Sequence, residues 1–192
     1  MLRGDPTLNG EPVADRLGSG LSRLLVPLDV TTFLSDAWEQ KALRIPGSAG
    51  KFDHLDFDTE ALLDILEADP KRVVRAVYSD RAGDPGDLNI LADQAPSLFD
   101  AGLTIGVVSL EEAHPPFREL ADTAKAFLNL SGSVVVVAYW SPGSGGVGTH
   151  FDAESVLILQ LEGAKRWRYS PTPGLVSPRR PFMAALDDNR LL

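Results

Sequence analysis

One stretch, residues 133–170, constrains the fold of this chain more than any other. It contains two runs rich in β-branched and aromatic residues, VVVVAYW and VLILQL, which favour extended strands. A glycine-rich loop separates the two runs and ends at His150-Phe151-Asp152. This order of strand, loop and strand predicts the first half of a β-barrel that carries a metal site, with the loop at the barrel rim.

His150 and Asp152 are the candidate metal ligands. Residues i and i+2 of a strand point to the same face, so the pair offers an imidazole nitrogen and a carboxylate oxygen to one point. A second histidine would complete the facial triad that holds iron(II) with open positions. A second His-x-Asp, His54 to Asp56, lies in a polar run that predicts a turn and a helix cap instead. His114, beside two prolines, is predicted to lie in a surface loop.

The turn after the second run introduces a further candidate, Lys165. Residues 161–164, LEGA, predict a tight turn that pairs the strands on either side of it. Cross-strand partners share a face, so a regular hairpin puts Gln160, Lys165 and Trp167 in the same space as the metal-ligand pair. An ammonium there needs an anion, such as a co-substrate carboxylate, because an unpaired buried charge is costly. The alternative is a solvated basic cluster around Lys165.

The glycine-rich loop, residues 143–148, matches the pattern G-x-G-x-x-G and follows a strand. A dinucleotide-binding loop also needs a helix to begin at the loop, so that the helix amides hold the pyrophosphate. Here a β-branched apolar run follows the loop instead, and no strand–helix–strand unit surrounds it. The pattern therefore does not predict nucleotide binding.

Composition limits the partners and the compartment. The 192-residue chain has a net charge of −9, which repels nucleic acid and anionic membranes, so neither is expected as a direct partner. Its lack of cysteine excludes disulfides and zinc–thiolate sites and fits a cytoplasmic protein. It has no apolar run of the roughly 20 residues that a membrane helix needs.

The chain divides into three predicted parts: a flexible N-terminal arm over 1–26, a helix-rich region with flanking strands over 27–132, and the barrel half over 133–192. Helices are predicted from Thr31, which with Thr32 is a candidate cap, over 58–68, and from Pro115 to an end at Ser131-Gly132. Strands are predicted over 43–47, 72–78 and 103–110, and a loop over 79–87. Helices first and strands later predict an α+β fold.

The residues around the His-x-Asp pair resemble a known family. Residues 149–167, THFDAESVLILQLEGAKRW, resemble the H-x-D…Q-l-x-G-x-K-r-W pattern of JmjC-type cupins, most closely the ribosomal-oxygenase-like, bacterial cupin-4 group. Residues 33–47 are similar to the family's F-L-x-x-x-W-x-x-K-P-L-x-I stretch, with Ala42 where proline is usual. Residues 133–152 are similar to its strand and glycine-rich loop.

The resemblance implies a helical N-terminal region packed on a double-stranded β-helix, the jelly roll of the cupins. It implies a dioxygenase that uses Fe(II) and 2-oxoglutarate to hydroxylate a side chain, with a protein (a ribosomal one among them) or a small molecule as substrate. His150 and Asp152 would bind iron. Lys165 would pair with the distal carboxylate of 2-oxoglutarate, and Tyr139 and Thr149 would lie beside that co-substrate.

One departure from the family pattern bears on activity. The family's third ligand is a histidine on a later strand, and this sequence has no histidine after His150. The last 22 residues are too short and too rich in proline to complete a jelly roll, so the barrel is expected to be incomplete. Three explanations stay open: the N-terminal part of a longer protein, which is favoured, a truncated non-catalytic binding module, or a homodimer whose second copy completes the barrel.

Overall fold

The structure is a computed structural model that describes residues 7–8, 11–12, 20–79, 85–143, 145–147, 150–170 and 182–183. Its helices are α1 (20–25), α2 (Val30–Asp36), α3 (Thr59–Ala68), α4 (Ala95–Asp100), α5 (Leu110–Ala113) and α6 (Pro115–Phe127), with 3-10 turns at Asp53–Leu55 and Ala92–Gln94. Its strands are β1 (Thr7–Leu8), β2 (Glu11–Pro12), β3 (Val73–Ser79), β4 (Pro85–Leu91), β5 (Thr104–Val107), β6 (Ala138–Trp140), β7 (His150–Phe151) and β8 (Phe182–Met183). In the described part of the chain, no helix combines the length and hydrophobicity that a bilayer-spanning segment needs.

Four strands form one open antiparallel sheet in the order β4-β3-β5-β6. Strands β3 and β4 pair along their whole lengths, from Val73 opposite Leu91 to Ser79 opposite Pro85. Two separate ladders join β1 to β2 and β7 to β8. The combination of helices with antiparallel strands agrees with the predicted α+β class, and the described strands of the main sheet remain open at both edges.

The chain forms two compact units, and the first comprises residues 1–56 and 109–136. Apart from β1 and β2, its described elements are helices and one 3-10 turn. Its buried apolar side chains are Leu21, Leu24, Leu25, Phe33, Ala37, Leu55, Leu110, Phe117, Ala121 and Ala124. Their spacing on α6 follows the helical stripe that the sequence predicts there.

His114 belongs to this core rather than to a surface loop. Its side chain is half-buried at the start of α6, and its Nε2 lies 2.7 Å from the carbonyl oxygen of Leu55. Its ring contacts Phe117 edge-on at 4.9 Å. The prediction of a surface loop residue was wrong because the two prolines begin a helix at this point, which turns the histidine toward the 3-10 segment.

The second unit comprises residues 57–108 and 137–192 and contains α3, α4 and the four-stranded sheet. One face of this sheet is packed, with Val74, Ala76, Ile90, Ile105 and Val107 all buried. On the same face Phe99 of α4 stacks on Trp140 of β6, with ring centroids 3.8 Å apart and planes 8° from parallel. The other face carries the polar side chains described below.

Several helix boundaries differ from the sequence predictions. Helix α2 begins at Val30, and its cap is Asp29, whose Oδ1 accepts a hydrogen bond from the backbone of Thr32 at 2.9 Å. Helix α6 ends before Asn129, which takes a left-handed φ of 51°, rather than at Ser131-Gly132. Asparagine tolerates this conformation better than most residues, so it can end a helix as glycine does.

Two strand predictions fail at segments that have no partner strand among the described residues. Residues 43–47 and 155–169 form no strand, and only the end of the VVVVAYW run pairs with a neighbour, as β6. Strand β4, by contrast, begins at Pro85 inside the predicted loop of 79–87. The preference of a residue for a strand depends mostly on packing against neighbouring strands. Pairing with β3 therefore outweighs the turn preference of the first residues of β4.

The cap of α3 gives a test of this local structure. Asp58 precedes the helix, and its Oδ1 accepts a hydrogen bond from the backbone N–H of Ala61 at 2.9 Å. Asp58→Ala should lower the free energy of unfolding by about 1 kcal/mol, because it leaves a helix N–H without its acceptor. The melting temperature should fall by about 2–4 °C.

Two further variants serve as controls for this measurement. Asp58→Asn retains an oxygen acceptor and should melt near the wild type. Asp64→Ala removes an exposed aspartate from the middle of the same helix and should not destabilise the protein. A loss in Asp58→Asn as large as that in Asp58→Ala would contradict the capping role.

Candidate functional site

The register of the sheet gathers one row of side chains on the face opposite the packed one. Arg75 of β3 lies opposite Gly106 of β5, and Gly106 lies opposite Tyr139 of β6. A Cβ atom on Gly106 would lie 3.4 Å from Cε1 of Tyr139 and 3.6 Å from Cβ of Arg75. The glycine therefore leaves room for the Tyr139 ring to lie close to the sheet.

Two hydroxyl groups lie one step further along the same face. Thr104 of β5, almost fully buried at 1% exposure, donates a hydrogen bond from Oγ1 to Oγ of Ser141 at 3.1 Å. Alternate strand residues share a face, so Thr104 lies on the same face as Gly106, and Ser141 on the same face as Tyr139. Sequence analysis missed both residues, although a threonine within the apolar run LTIGVV was a usable signal.

Lys165 reaches this pair of hydroxyls. Its Nζ donates a hydrogen bond to Oγ of Ser141 at 3.2 Å. Because the Ser141 oxygen accepts from both Thr104 and Lys165, its own O–H is left to donate elsewhere. Lys165 and Ser141 thus present two donors on one side of the sheet.

Burial acts on the charge of Lys165. It lowers the pKa of the ammonium below that of an ordinary lysine, because removal from water disfavours the charged form. Among the described residues, no carboxylate lies within ion-pair distance of Nζ. The site therefore holds a partly desolvated cation whose contacts are all neutral groups.

The segment that carries Lys165 is a turn rather than a paired hairpin. Gly163 has a positive φ of 64°, which confirms the predicted turn, and the Glu162 carboxylate accepts a hydrogen bond from the Thr59 hydroxyl at the start of α3. The side chain of Gln160 is engaged within the turn, where its Nε2 donates to the carbonyl oxygen of Glu162 at 2.7 Å. Lys165 reaches the sheet through its long side chain, without the strand pairing from which its position was predicted.

His150 and Asp152 lie together, as their i, i+2 spacing predicts. Nε2 of His150 is 3.6 Å from Oδ2 of Asp152, and both side chains are partly accessible, at 28% and 40% exposure. One ion with ligand bonds of about 2.1 Å can join atoms up to about 4.2 Å apart, so the pair fits a shared metal. Within the described ranges, no group of three or more His, Cys, Asp or Glu side chains could hold an ion.

The ring of Tyr139 lies near the Lys165 ammonium. Burial, and after it the negative charge of Asp152, raises the pKa of its phenol, while Arg75 acts in the opposite direction. The phenol thus remains protonated at neutral pH and can donate a hydrogen bond. Tyr139 therefore relates the two candidate groups to each other: its ring centroid lies 5.8 Å from Nζ of Lys165, and the charge of Asp152 acts on its phenol.

The glycine-rich loop closes over Thr104. The backbone N–H of Gly145 donates to the carbonyl of Pro142 at 2.8 Å, which forms a turn directly after β6. A Cβ atom on Gly145 would lie 2.7 Å from Cδ of Pro142 and 2.9 Å from Oγ1 of Thr104. The glycine thus permits close packing over the hydroxyl pair. Thr149, the remaining sequence candidate, lies outside the described residues.

This packing predicts different effects for two neighbouring glycines. Gly145→Ala should lower the free energy of unfolding by about 1–3 kcal/mol, because the added methyl group has to displace the proline ring or the Thr104 hydroxyl. Gly146→Ala is the matched control: a Cβ at Gly146 meets no atom within 4 Å, so stability should change by less than about 0.5 kcal/mol. Equal denaturation midpoints for the two variants would refute the packing of Gly145 over Thr104.

Comparison with known proteins shows which family part of this chain is similar to. The family described as JmjC domain matches residues 112–185. Uncharacterized protein YxbC of Bacillus subtilis is 25% identical over 171 residues, which cover 85% of this chain and 52% of YxbC.

Two further relatives have names that state an activity. The bifunctional lysine-specific demethylase and histidyl-hydroxylase NO66 of Drosophila pseudoobscura pseudoobscura is 29% identical over 173 residues, 81% of this chain and 17% of NO66. Ribosomal oxygenase 1 of Rattus norvegicus is 29% identical over 175 residues, 85% of this chain and 29% of that protein. This chain spans about half the length of YxbC and less of the other two. The resemblance found in the sequence is thereby confirmed: residues 112–185 match a JmjC domain, and the chain is similar to NO66 and to Ribosomal oxygenase 1.

Proposed function

We propose that this chain provides the co-substrate and metal-binding half of an oxygenase that uses Fe(II) and 2-oxoglutarate to hydroxylate a side chain. One juxtaposition supports this function above all others. A partly desolvated ammonium, Lys165, has no carboxylate partner among the described residues and lies near the ring of Tyr139, whose phenol pKa is raised in part by the charge of Asp152. A jelly roll would be completed by strands that pair with the open sheet.

The co-substrate follows from the charges of the site. A dicarboxylate with a 2-oxo acid at one end matches both halves, because its distal carboxylate would accept hydrogen bonds from Lys165 and from the O–H of Ser141. Hydrogen bonds between ionised partners are about twice as strong as neutral ones. Thr104 holds the Ser141 oxygen, and the turn at Gly145 covers Thr104, so this end of the pocket is built before the ligand arrives.

His150 and Asp152 would hold the iron, with the 2-oxo acid end of the co-substrate directed toward them. Bound iron would supply oxygen activation, which no side chain provides. The third ligand would be a histidine from sequence beyond these 192 residues or from a second copy in a homodimer. The contribution of this chain is to orient the co-substrate, to keep the Tyr139 phenol protonated and to hold a positive charge opposite the distal carboxylate.

The names of two relatives and the net charge support a proposal for the substrate class. The name of NO66 states a lysine-specific demethylase and a histidyl-hydroxylase activity, and the name of Ribosomal oxygenase 1 states an oxygenase associated with the ribosome. We infer a protein side chain as the substrate here, with a ribosomal protein as the first candidate, in the cytoplasm. The net charge of −9 favours a basic protein partner over nucleic acid or an anionic membrane.

Metal binding separates the two His-x-Asp motifs of the chain. Titration with Mn(II), followed by calorimetry, should show binding that weakens at least about tenfold in His150→Ala, because a direct ligand is lost. His54→Ala is the matched control and should bind like the wild type, since His54 lies in the 3-10 turn of the first unit. Equal losses in the two variants, or none in either, would remove the metal-binding role of His150.

Co-substrate binding tests the role of Lys165. Lys165→Met should weaken 2-oxoglutarate binding by roughly ten- to a hundredfold, because a charge-assisted hydrogen bond is lost. Arg166→Met removes the neighbouring exposed charge and should have little effect. 2-Oxobutyrate, which lacks the distal carboxylate, should bind the wild type and Lys165→Met alike.

The pH dependence of this binding has a definite sign. Lys165 attracts the carboxylate only while protonated, so affinity should fall as the pH rises through its pKa. Burial lowers that pKa, so the fall should begin at a lower pH than for an exposed lysine. Equal affinities of Lys165→Met and Arg166→Met for 2-oxoglutarate would refute the proposed role of Lys165.

A further inference from the structure

The ammonium of Lys165 lies near two aromatic rings as well as the Ser141 hydroxyl. Nζ is 5.8 Å from the ring centroid of Tyr139 and 5.7 Å from that of Trp167. Both distances fall within the roughly 6 Å over which the negative face of an aromatic ring attracts a cation. Two π systems and one hydroxyl oxygen therefore contact a single charged group.

This arrangement answers a physical problem of the site. A lysine side chain is a flexible four-carbon stem, so its charged end needs contacts that fix it before a ligand binds. A carboxylate would fix it but would have to be displaced by the incoming anion. Aromatic rings attract the ammonium without neutralising it, so the charge remains available to a ligand.

Trp167 is suited to this role and to little else in the described structure. Its side chain is 51% exposed, so it contributes little to the core of the second unit. It follows Lys165 by two residues, and its ring lies against the end of the Lys165 side chain. A large apolar ring at the surface beside one cation is explained better by that contact than by burial.

We propose that Trp167, together with the ring of Tyr139, is a positioning residue that holds the Lys165 ammonium where a carboxylate can reach it. This inference rests on the proposed function for the identity of the anion, 2-oxoglutarate. The contact between the Lys165 ammonium and the two rings rests only on the measured ring distances. Trp167 would not touch the co-substrate; it would act through Lys165.

A double-mutant cycle on the full chain tests the inference. Trp167→Leu should weaken 2-oxoglutarate binding by roughly two- to fivefold, the value of a cation–π contact at a half-exposed site. Trp167→Phe should recover part of the loss, because phenylalanine restores a ring with a weaker attraction for cations. In a Lys165→Met background, Trp167→Leu should have no further effect. An equal loss in both backgrounds would overturn the inference, because Trp167 would then act independently of Lys165.

A second measurement needs no co-substrate. The ε-methylene protons of Lys165 should resonate upfield of an ordinary lysine, because the Nζ atom next to them lies near two aromatic rings, and should move toward ordinary values in Trp167→Leu. Lysine signals without this shift would overturn the inference even if 2-oxoglutarate binds. Shifted signals in a chain that fails to bind 2-oxoglutarate would support the contact while refuting the proposed function. Melting temperatures of Trp167→Leu and Trp167→Phe near the wild type would show that both variants are folded.

Discussion

The pairing of β5 with β6 is the constraint on which the candidate site depends. It sets Gly106 against Tyr139, and it brings the hydroxyls of Thr104 and Ser141 within hydrogen-bond distance. A slip of one residue in this register would turn Tyr139 and Ser141 to the packed face and expose Trp140, which now stacks on Phe99. The stacked pair on one face therefore fixes the polar cluster on the other.

A partly desolvated cation is the second feature that shapes the site. Lys165 loses hydration, which lowers its pKa, and the Ser141 oxygen and two aromatic rings replace part of that hydration. None of these groups carries a negative charge, so the positive potential at the site is preserved for a ligand. An ion pair in the same position would neutralise the charge of Lys165 and would compete with the carboxylate that the proposed function requires.

The sequence predicted the parts of the site that depend on local spacing. His150 and Asp152 lie 3.6 Å apart, as i and i+2 in extended chain should, and Gly163 makes the predicted turn. Thr104 could not be found in this way, since its partner Ser141 is 37 residues away and only the sheet register joins them. Strand β4 was missed because pairing with β3 outweighs the preferences of Pro85 and Gly86. Long-range pairing, rather than composition, decides both cases.

The two halves of the site are held by very different amounts of structure. Thr104 lies in β5 and Ser141 directly follows β6, so the four-stranded sheet restricts the positions of both residues. The stacking of Phe99 of α4 on Trp140 further fixes β6 from the packed face. His150 lies on a two-residue strand, β7, whose described pairing is with the equally short β8. The half with Ser141 and Thr104 is thus preformed by the fold, whereas under the proposed function a bound metal would itself order the half with His150 and Asp152. Co-substrate affinity through Lys165 should consequently depend less on the metal than metal affinity depends on the ordering of His150 and Asp152.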